Sequence, residues 1–485
     1  MRIAIPLLLI SSATVGLAQE AQQPQSMKGV VRKNLVPVST NVLIVKFPRP
    51  VERRLKNGLQ LLNLENHRLP TVSLALVMPF SSLSEPAEKI GVADCVADML
   101  TLGAGSRDAR QFVERLGELG ASLNVQAEFG ARSTTVTASS LSENLDAVLD
   151  LLSDVLLRPT FPQDELDKWK TRQLSQLQQV RTNPGFLAQE RMHQVLYGAD
   201  ARKYIITNAE AIRAITRDDL VSFHKTYYRP GGTLAGVAGD VSTAAIATRL
   251  EKILAAWEGA VPPLPKLPLE QPIAGKKVYL INRPNSVQTA LSLANRAIGR
   301  LDPDYEAVQV MNRVLGAGPA SRLFRNIRED KGFTYGVGSA FTAQAFKNHF
   351  AASSSVRTAV TGPALDEFLK EFEDIRSRPV PKQELEEAKR AIVAGYALSL
   401  ENQGNVLRQT LLRREYGLPD DYFDTYPAKI MAITAEDVQR VARKYVPVDN
   451  LQIFAVGEAD KIREVLAKFG PIEEFTAEGA PVKAP

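Results

Sequence analysis

Two aspartates four residues apart, in Gly91-Val-Ala-Asp-Cys-Val-Ala-Asp-Met-Leu100, are the first side chains whose types and spacing could do chemistry. Val92, Val96 and Met99 or Leu100 form an apolar stripe at helical spacing, which sets Asp94 and Asp98 one turn apart on one face. Such a pair could hold a hard cation weakly, but no third ligand and no general base stand nearby. Residue chemistry alone favours two solvated carboxylates on an exposed face. The second constellation is Arg328 and Tyr335, seven residues apart in Leu315-Gly-Ala-Gly-Pro-Ala-Ser-Arg-Leu-Phe-Arg-Asn-Ile-Arg-Glu-Asp-Lys-Gly-Phe-Thr-Tyr-Gly336. A guanidinium and a phenol can both donate hydrogen bonds to a developing oxyanion. Gly316 and Gly318 do not open a phosphate loop, because neither Gly-Lys-Ser/Thr nor the third glycine of a dinucleotide fingerprint follows. Spacing by itself gives a glycine turn before a helix, with Arg328 solvated and Tyr335 packed at the start of a strand. Cys95, between apolar neighbours, reads as a small core residue. His67 and His224 read as surface or packing residues.

The elements that must carry these residues show in the apolar patterning. Residues 42–45 and 59–64 read as strands with a turn at Asn57-Gly58 between them, and further strands are predicted at 73–78, 134–138 and 350–355. Helical spacing runs over 91–100, 145–157, 165–180, 365–375 and 384–400. The pattern also repeats. Leu102-Gly-Ala-Gly105 recurs as Leu315-Gly-Ala-Gly318, Arg158-Pro159 with Glu165-Leu166 recurs as Arg378-Pro379 with Glu384-Leu385, and Ile215-Thr216 recurs as Ile433-Thr434. A spacing of 213 to 220 residues is that of a duplicated domain, not a solenoid. Between Pro262 and Pro272 five of eleven residues are proline, which reads as an extended spacer between the copies. Each copy is predicted to be an α+β domain with helices packed on a sheet.

Composition narrows the function classes. The 485 residues are 45% hydrophobic and 23% charged, which excludes a disordered chain and a multi-span membrane protein. A net charge of +5, from 59 basic and 54 acidic residues, gives a weak field and no nucleic-acid footprint. A single cysteine forbids an intrachain disulfide and a cysteine zinc site, and the four histidines form no local metal motif. The N-terminus MRIAIPLLLISSATVGLAQE places Arg2 before an apolar run and Ala18 at a cleavage point. It reads as a secretory signal peptide of residues 1–18, with export to a bacterial periplasm expected, or a membrane association if the leader is retained.

The stretch from Leu55 to Ala109, which contains HRLPTVSLALVMPFSSLSEPAEKIGVADCVADMLTLGAGSRDA, resembles the N-terminal signature of the pitrilysin family of inverted-motif zinc peptidases, which also holds insulin-degrading enzyme and the mitochondrial processing peptidase. Active members carry HxxEH on this helix, two zinc-binding histidines and a water-activating glutamate. Here the matching positions are Asp94, Ala97 and Asp98. The best match to the family's third ligand, a glutamate on a later helix, is Gln176. The resemblance therefore implies no metal in this chain, with zinc expected in a partner. In the second half Arg328 and Tyr335 match the family's arginine and tyrosine, which bind the substrate backbone and the tetrahedral intermediate of the opposing site. Gly316 and Gly318 echo the substrate-binding glycine loop of the zinc-free mitochondrial subunit.

The resemblance covers about residues 46 to 470. It implies an α+β fold of two homologous domains, each with helices on a mainly antiparallel sheet, clam-like around a chamber. The expected organisation is a polar segment 19–45, a first peptidase-like domain 46–260, a proline-rich linker 261–275, a second domain 276–472 and a tail 473–485. The implied function is that of a non-catalytic partner in a heterodimeric zinc metallopeptidase, not an independent peptidase. Its expected partners are an HxxEH-bearing subunit and an extended peptide. The rival is an inert scaffold or peptide-binding protein of the same fold, like the core subunits of the cytochrome bc complex.

Overall fold

The computed structural model describes residues 44–198, 205, 207–264, 271–344 and 348–482. The leader 1–18, nearly all of the polar segment 19–45, residues 265–270 of the proline-rich linker and the last three residues lie outside the described residues.

The first half runs β1 (Val51–Arg54), β2 (Gln60–Glu65), β3 (Thr71–Met78), α1 (Val92–Met99), a small hairpin of β4 (Gly103–Ala104) and β5 (Arg107–Asp108), then α2 (Ala109–Glu118), β6 (Ser122–Gln126) and β7 (Thr134–Leu141). It continues with α3 (Leu145–Leu157), α4 (Gln163–Val180), α5 (Pro184–Tyr197), α6 (Ala209–Ala214), α7 (Arg217–Tyr227), β8 (Leu234–Gly239) and α8 (Thr243–Ile253). The second half runs β9 (Lys277–Asn282), β10 (Gln288–Arg296), α9 (Tyr305–Leu315), a π-helical stretch Phe324–Asp330, β11 (Thr334–Ala343) and β12 (Asn348–Arg357). Helices α10 (Thr361–Ser377), α11 (Lys382–Ser399), α12 (Gln403–Glu415), α13 (Tyr422–Ala432) and α14 (Ala435–Tyr445) follow, then β13 (Gln452–Gly457), α15 (Ala459–Leu466) and β14 (Ile472–Phe475).

Two six-stranded sheets result, ordered β1-β2-β8-β3-β7-β6 and β14-β9-β13-β10-β12-β11. Five positions correspond in order and direction. The outermost strand differs, being an antiparallel neighbour in the first sheet and a C-terminal parallel one in the second. Pairing is mainly antiparallel, with parallel ladders among the described residues only at β2–β8, β9–β13 and β9–β14. The repeated Ile-Thr pairs have a local cause. Thr216 with Asp219 and Thr434 with Asp437 form capping boxes that start α7 and α14, satisfying backbone N–H groups that the first turn leaves without partners.

Both central strands β8 and β13 are buried at every residue, because each sheet is covered on both faces. One face packs on helices of its own half: Leu61, Leu74 and Leu76 meet Val96, Leu149 and Leu220, and Leu280, Leu293 and Ile453 meet Val308, Phe368 and Val441. The other face is covered by exchange. Val406, Leu407 and Leu411 of α12 lie on Leu62, Val77 and Leu234 of the first sheet. Leu187, Met192 and Leu196 of α5 lie on Ile281, Ala294 and Phe454 of the second. Residues 43–485 accordingly cluster as one compact unit.

Of the strand expected at 42–45, only residues 44 and 45 are among the described ones. Ile44 and Val45 join no ladder, and the first strand begins at Val51. The segment is held instead by the second half, where Phe47 packs on Phe423 at 4.9 Å and its N–H donates to Asp424 at 2.7 Å.

Candidate functional site

Helix α1 begins at Gly91, whose left-handed backbone (φ +95°) leaves no side chain to cap the helix. The buried carboxylate of Glu85 takes that role, accepting from the N–H of Gly91 at 2.9 Å and of Ala93 at 2.8 Å, where the positive end of the helix dipole favours it. Val92, Ala93, Cys95, Val96, Ala97 and Met99 are all buried, so Asp94 and Asp98 are the only side chains of α1 that reach the rim of the core.

The two are not alike. Asp98 accepts a hydrogen bond from the indole Nε1 of Trp169 on α4 at 2.7 Å. Packing around it pushes its carboxyl up, while the Trp169 bond and the Arg172 charge pull it back. Asp94 has no such donor, and burial, then the Asp98 charge, push it up to about 7. The solvated reading of the pair is therefore corrected at Asp94, which the packing of α1 into the core has half-buried. Behind it Tyr228 is buried with its hydroxyl unpartnered among the described residues, and burial, followed by the charges of Asp94 and Asp98, pushes that phenol up. His224 stacks on Tyr228 at 4.7 Å, and burial lowers it to about 4. His224 is thus a packing residue. His67 is exposed and bonds Asp240 at 2.6 Å. The Cys95 thiol is fully buried and pushed far up by burial, which leaves it inert.

These residues do not fit the zinc that active members of the resembled family hold at the matching positions. Ala97 has no side-chain base, and Gln176 is exposed on α4 while Trp169, two turns earlier, occupies the contact with Asp98. Two carboxylates, one tied to an indole, replace the two imidazoles that bind zinc in HxxEH, and nothing takes the place of the glutamate that activates water. Sequence reasoning missed Trp169. Its signal was the stripe Leu166, Trp169, Leu177, the buried residues of an otherwise polar helix.

Arg328 and Tyr335 are brought together. The Arg328 guanidinium lies 4.5 Å from the ring centre of Phe324 and 5.2 Å from that of Tyr335, and among the described residues no carboxylate pairs with it. Wide i→i+5 turns, such as Lys331 N–H to Asn326 C=O at 3.0 Å, set the spacing. They are pinned from outside by Asn326, whose amide donates to Glu367 at 2.9 Å and Glu371 at 2.7 Å, and by the two-pronged Arg322–Glu384 pair. Tyr335 sits in a bulge of β11 between Thr334 and Val337. There the Thr334 hydroxyl donates to Ser355 C=O at 2.7 Å and accepts from Gly336 N–H at 3.1 Å. The bulge re-aims the phenol outward, so Tyr335 is 90% exposed where packing was expected from its position.

Gly316 abuts this edge strand. Its C=O accepts from Ser339 N–H at 3.1 Å, and a side-chain Cβ on it would stand 2.1 Å from Ser339 Oγ. Gly318 has φ +112°, a region L side chains avoid. Gly316 lines a cavity of about 620 Å³ on the face of the second sheet, between α5 and β11, whose wall also includes Met192, Ser292, Gly338 and His349; Gly318 is not in that wall.

Comparison with known proteins bears on the fold and the family. Residues 61–210 match the family model described as insulinase (peptidase family M16), and residues 214–392 match that of the peptidase M16 inactive domain. An uncharacterized zinc protease of Rickettsia felis is 28% identical over 289 residues, 59% of this chain and 68% of that protein. A Helicobacter pylori protein named non-peptidase homolog YmxG is 25% identical over 409 residues, 82% of this chain and 91% of its own length. The crystal structure of a peptidase M16 inactive domain from Pseudomonas fluorescens superposes with a TM-score of 0.78 at 27% identity, covering 84% of this chain and 98% of that one. With both halves matched in order and the paired-sheet fold shared, the chain belongs to the insulinase (M16) peptidase family.

Proposed function

We propose that this chain is a non-catalytic subunit that completes the active site of an HxxEH-bearing relative, binding an extended peptide and stabilising the transition state of its hydrolysis. The observation that carries this reading is the contrast between the two halves. The zinc helix has lost every ligand, yet the Arg328–Tyr335 pair is built with care, one residue held between aromatic rings and the other turned outward by a bulge. Donors fixed in advance cost no reorganisation when charge develops, so they lower the barrier more than they tighten ground-state binding. Zinc, both histidines and the base come from the partner, and Gly316 forms part of the wall along which the peptide lies.

The test is cleavage of an unstructured peptide by this chain mixed with an HxxEH-bearing relative. Arg328→Ala and Tyr335→Phe should each lower turnover by about 10²-fold, with assembly intact by size exclusion. Unchanged turnover in both would leave the chain an inert scaffold.

A further inference from the structure

A second pocket, of about 640 Å³, lies between the start of α9, the loop 417–419 after α12, and helices α13 and α14, well within the size range of small-ligand sites. Two cations in its wall are unspent. Arg300 is half-buried with its guanidinium 4.0 Å from the Tyr305 ring centre and 5.2 Å from that of Tyr422, and it donates one hydrogen bond, to the Tyr422 hydroxyl at 3.0 Å. Lys429 approaches the same Tyr422 ring to 4.9 Å. Among the described residues neither forms an ion pair.

Three carboxylates share the wall, Asp302, Glu306 and Asp437, and each already accepts hydrogen bonds. Glu306, whose charge reaches Arg300, accepts from the Tyr422 hydroxyl at 2.6 Å. Asp302 accepts from the Tyr445 hydroxyl at 3.3 Å and from Asp304 N–H at 2.9 Å. Asp437 caps α14, and Arg440 is held by Asp304 at 2.7 Å. What the wall offers is surplus donors: the remaining N–H groups of Arg300 and the ammonium of Lys429, two like charges set against one tyrosine ring. Such a surplus is satisfied by an acceptor-only anion, and a guanidinium already fixed between two rings loses little freedom on binding one. The rest of the wall is apolar, and Leu301 in it is 62% exposed, which leaves a surface for a hydrocarbon body to cover.

We infer that this pocket binds a carboxylate carried on an apolar body, as at the C-terminal end of a short peptide. The inference is independent of the role proposed for Arg328 and Tyr335.

Isothermal titration of the full chain with acetyl-Leu-Ala-Leu, its C-terminal amide and inorganic phosphate tests it. The acid should bind at concentrations up to about 1 mM, and the amide and phosphate each about tenfold more weakly, the amide for want of charge and phosphate for want of the apolar body. Lys429→Gln, at an exposed position, and Arg300→Lys, which keeps the charge but loses the planar fork, should each weaken the acid by about tenfold. No binding of the acid, equal binding of acid and amide, phosphate binding as tightly as the acid, or an affinity unchanged in Lys429→Gln would each overturn the inference. Since Lys429 lies at the surface, its variant decides the matter even if Arg300→Lys fails to fold.

Discussion

At the scale of single residues, Asp94 and His224 make opposite contributions to the pH dependence of stability. Asp94 ionises near 3.8 in an unfolded chain and at about 7 in the fold, so between those values the fold holds a proton that the unfolded chain has released. Stability from this group falls as pH rises through that window, by at most about 1.4 kcal/mol per pH unit. His224, moved from 6.5 down to about 4, does the reverse, and its contribution grows as pH rises from about 4 to 6.5. Below pH 6.5 the two oppose each other and flatten the profile. Asp94→Asn removes one of them, so the variant should gain on the wild type between pH 5 and pH 8, by about 2 kcal/mol once water at the half-exposed carboxylate is allowed for. Urea unfolding at both pH values checks this, and a difference independent of pH would contradict it. The replacement of the family's zinc ligands was implied by the resemblance, which needs only residue types at three positions. Sequence did not show that Asp94 was half-buried or that Trp169 had filled the gap, because both depend on how α4 lies across α1, which helical spacing does not encode.

At the scale of elements, the repeats were legible where they have a local cause, as in the two capping boxes that start α7 and α14. The π-helical stretch and the β11 bulge were not. An i→i+5 turn has no composition of its own, and this one is imposed by Asn326, Arg322 and their carboxylate partners on α10 and α11, about 40 to 60 residues away in sequence. The strand expected at 42–45 is similar: its described residues Ile44 and Val45 join no ladder, and Phe47 just beyond them is captured by α13. These devices make the Arg328–Tyr335 geometry depend on the fit of Gly316 against Ser339. Gly316→Ala would drive a methyl into the Ser339 hydroxyl and backbone N–H, with 2.1 Å and 2.5 Å where contact needs well over 3 Å. The expected cost is about 1–3 kcal/mol, read from denaturant midpoints. Gly336→Ala, on the same strand with open space around its added Cβ, serves as the control and should lie within about 0.5 kcal/mol of wild type. Equal losses in the two variants would show that the packing of the glycine loop is not what holds this edge.

At the scale of the whole molecule, the duplication read from sequence predicts two domains, but the exchange of α5 and α12 makes the halves interdependent. An amphipathic stripe says that a helix face is covered, not by which half, so this exchange was out of reach of the sequence. Its consequence is thermodynamic. Without α12 the first sheet would expose Leu62, Leu64, Ala75, Val77 and Leu234, and without α5 the second would expose Tyr279, Ile281, Ala290, Phe454 and Val456. At about 25 cal/mol per Å² of apolar surface, faces of this size carry several kcal/mol each, comparable with the whole stability of a typical domain. Residues 46–260 and 271–482, expressed separately, should therefore bind a hydrophobic dye and aggregate, whereas co-expression should give a soluble one-to-one complex in which each fragment contributes its exchanged helix. The intact chain should unfold in one transition although it contains two sheets with separate cores. Two soluble fragments, each with its own sharp melting transition, would mean that the exchanged helices are dispensable covers.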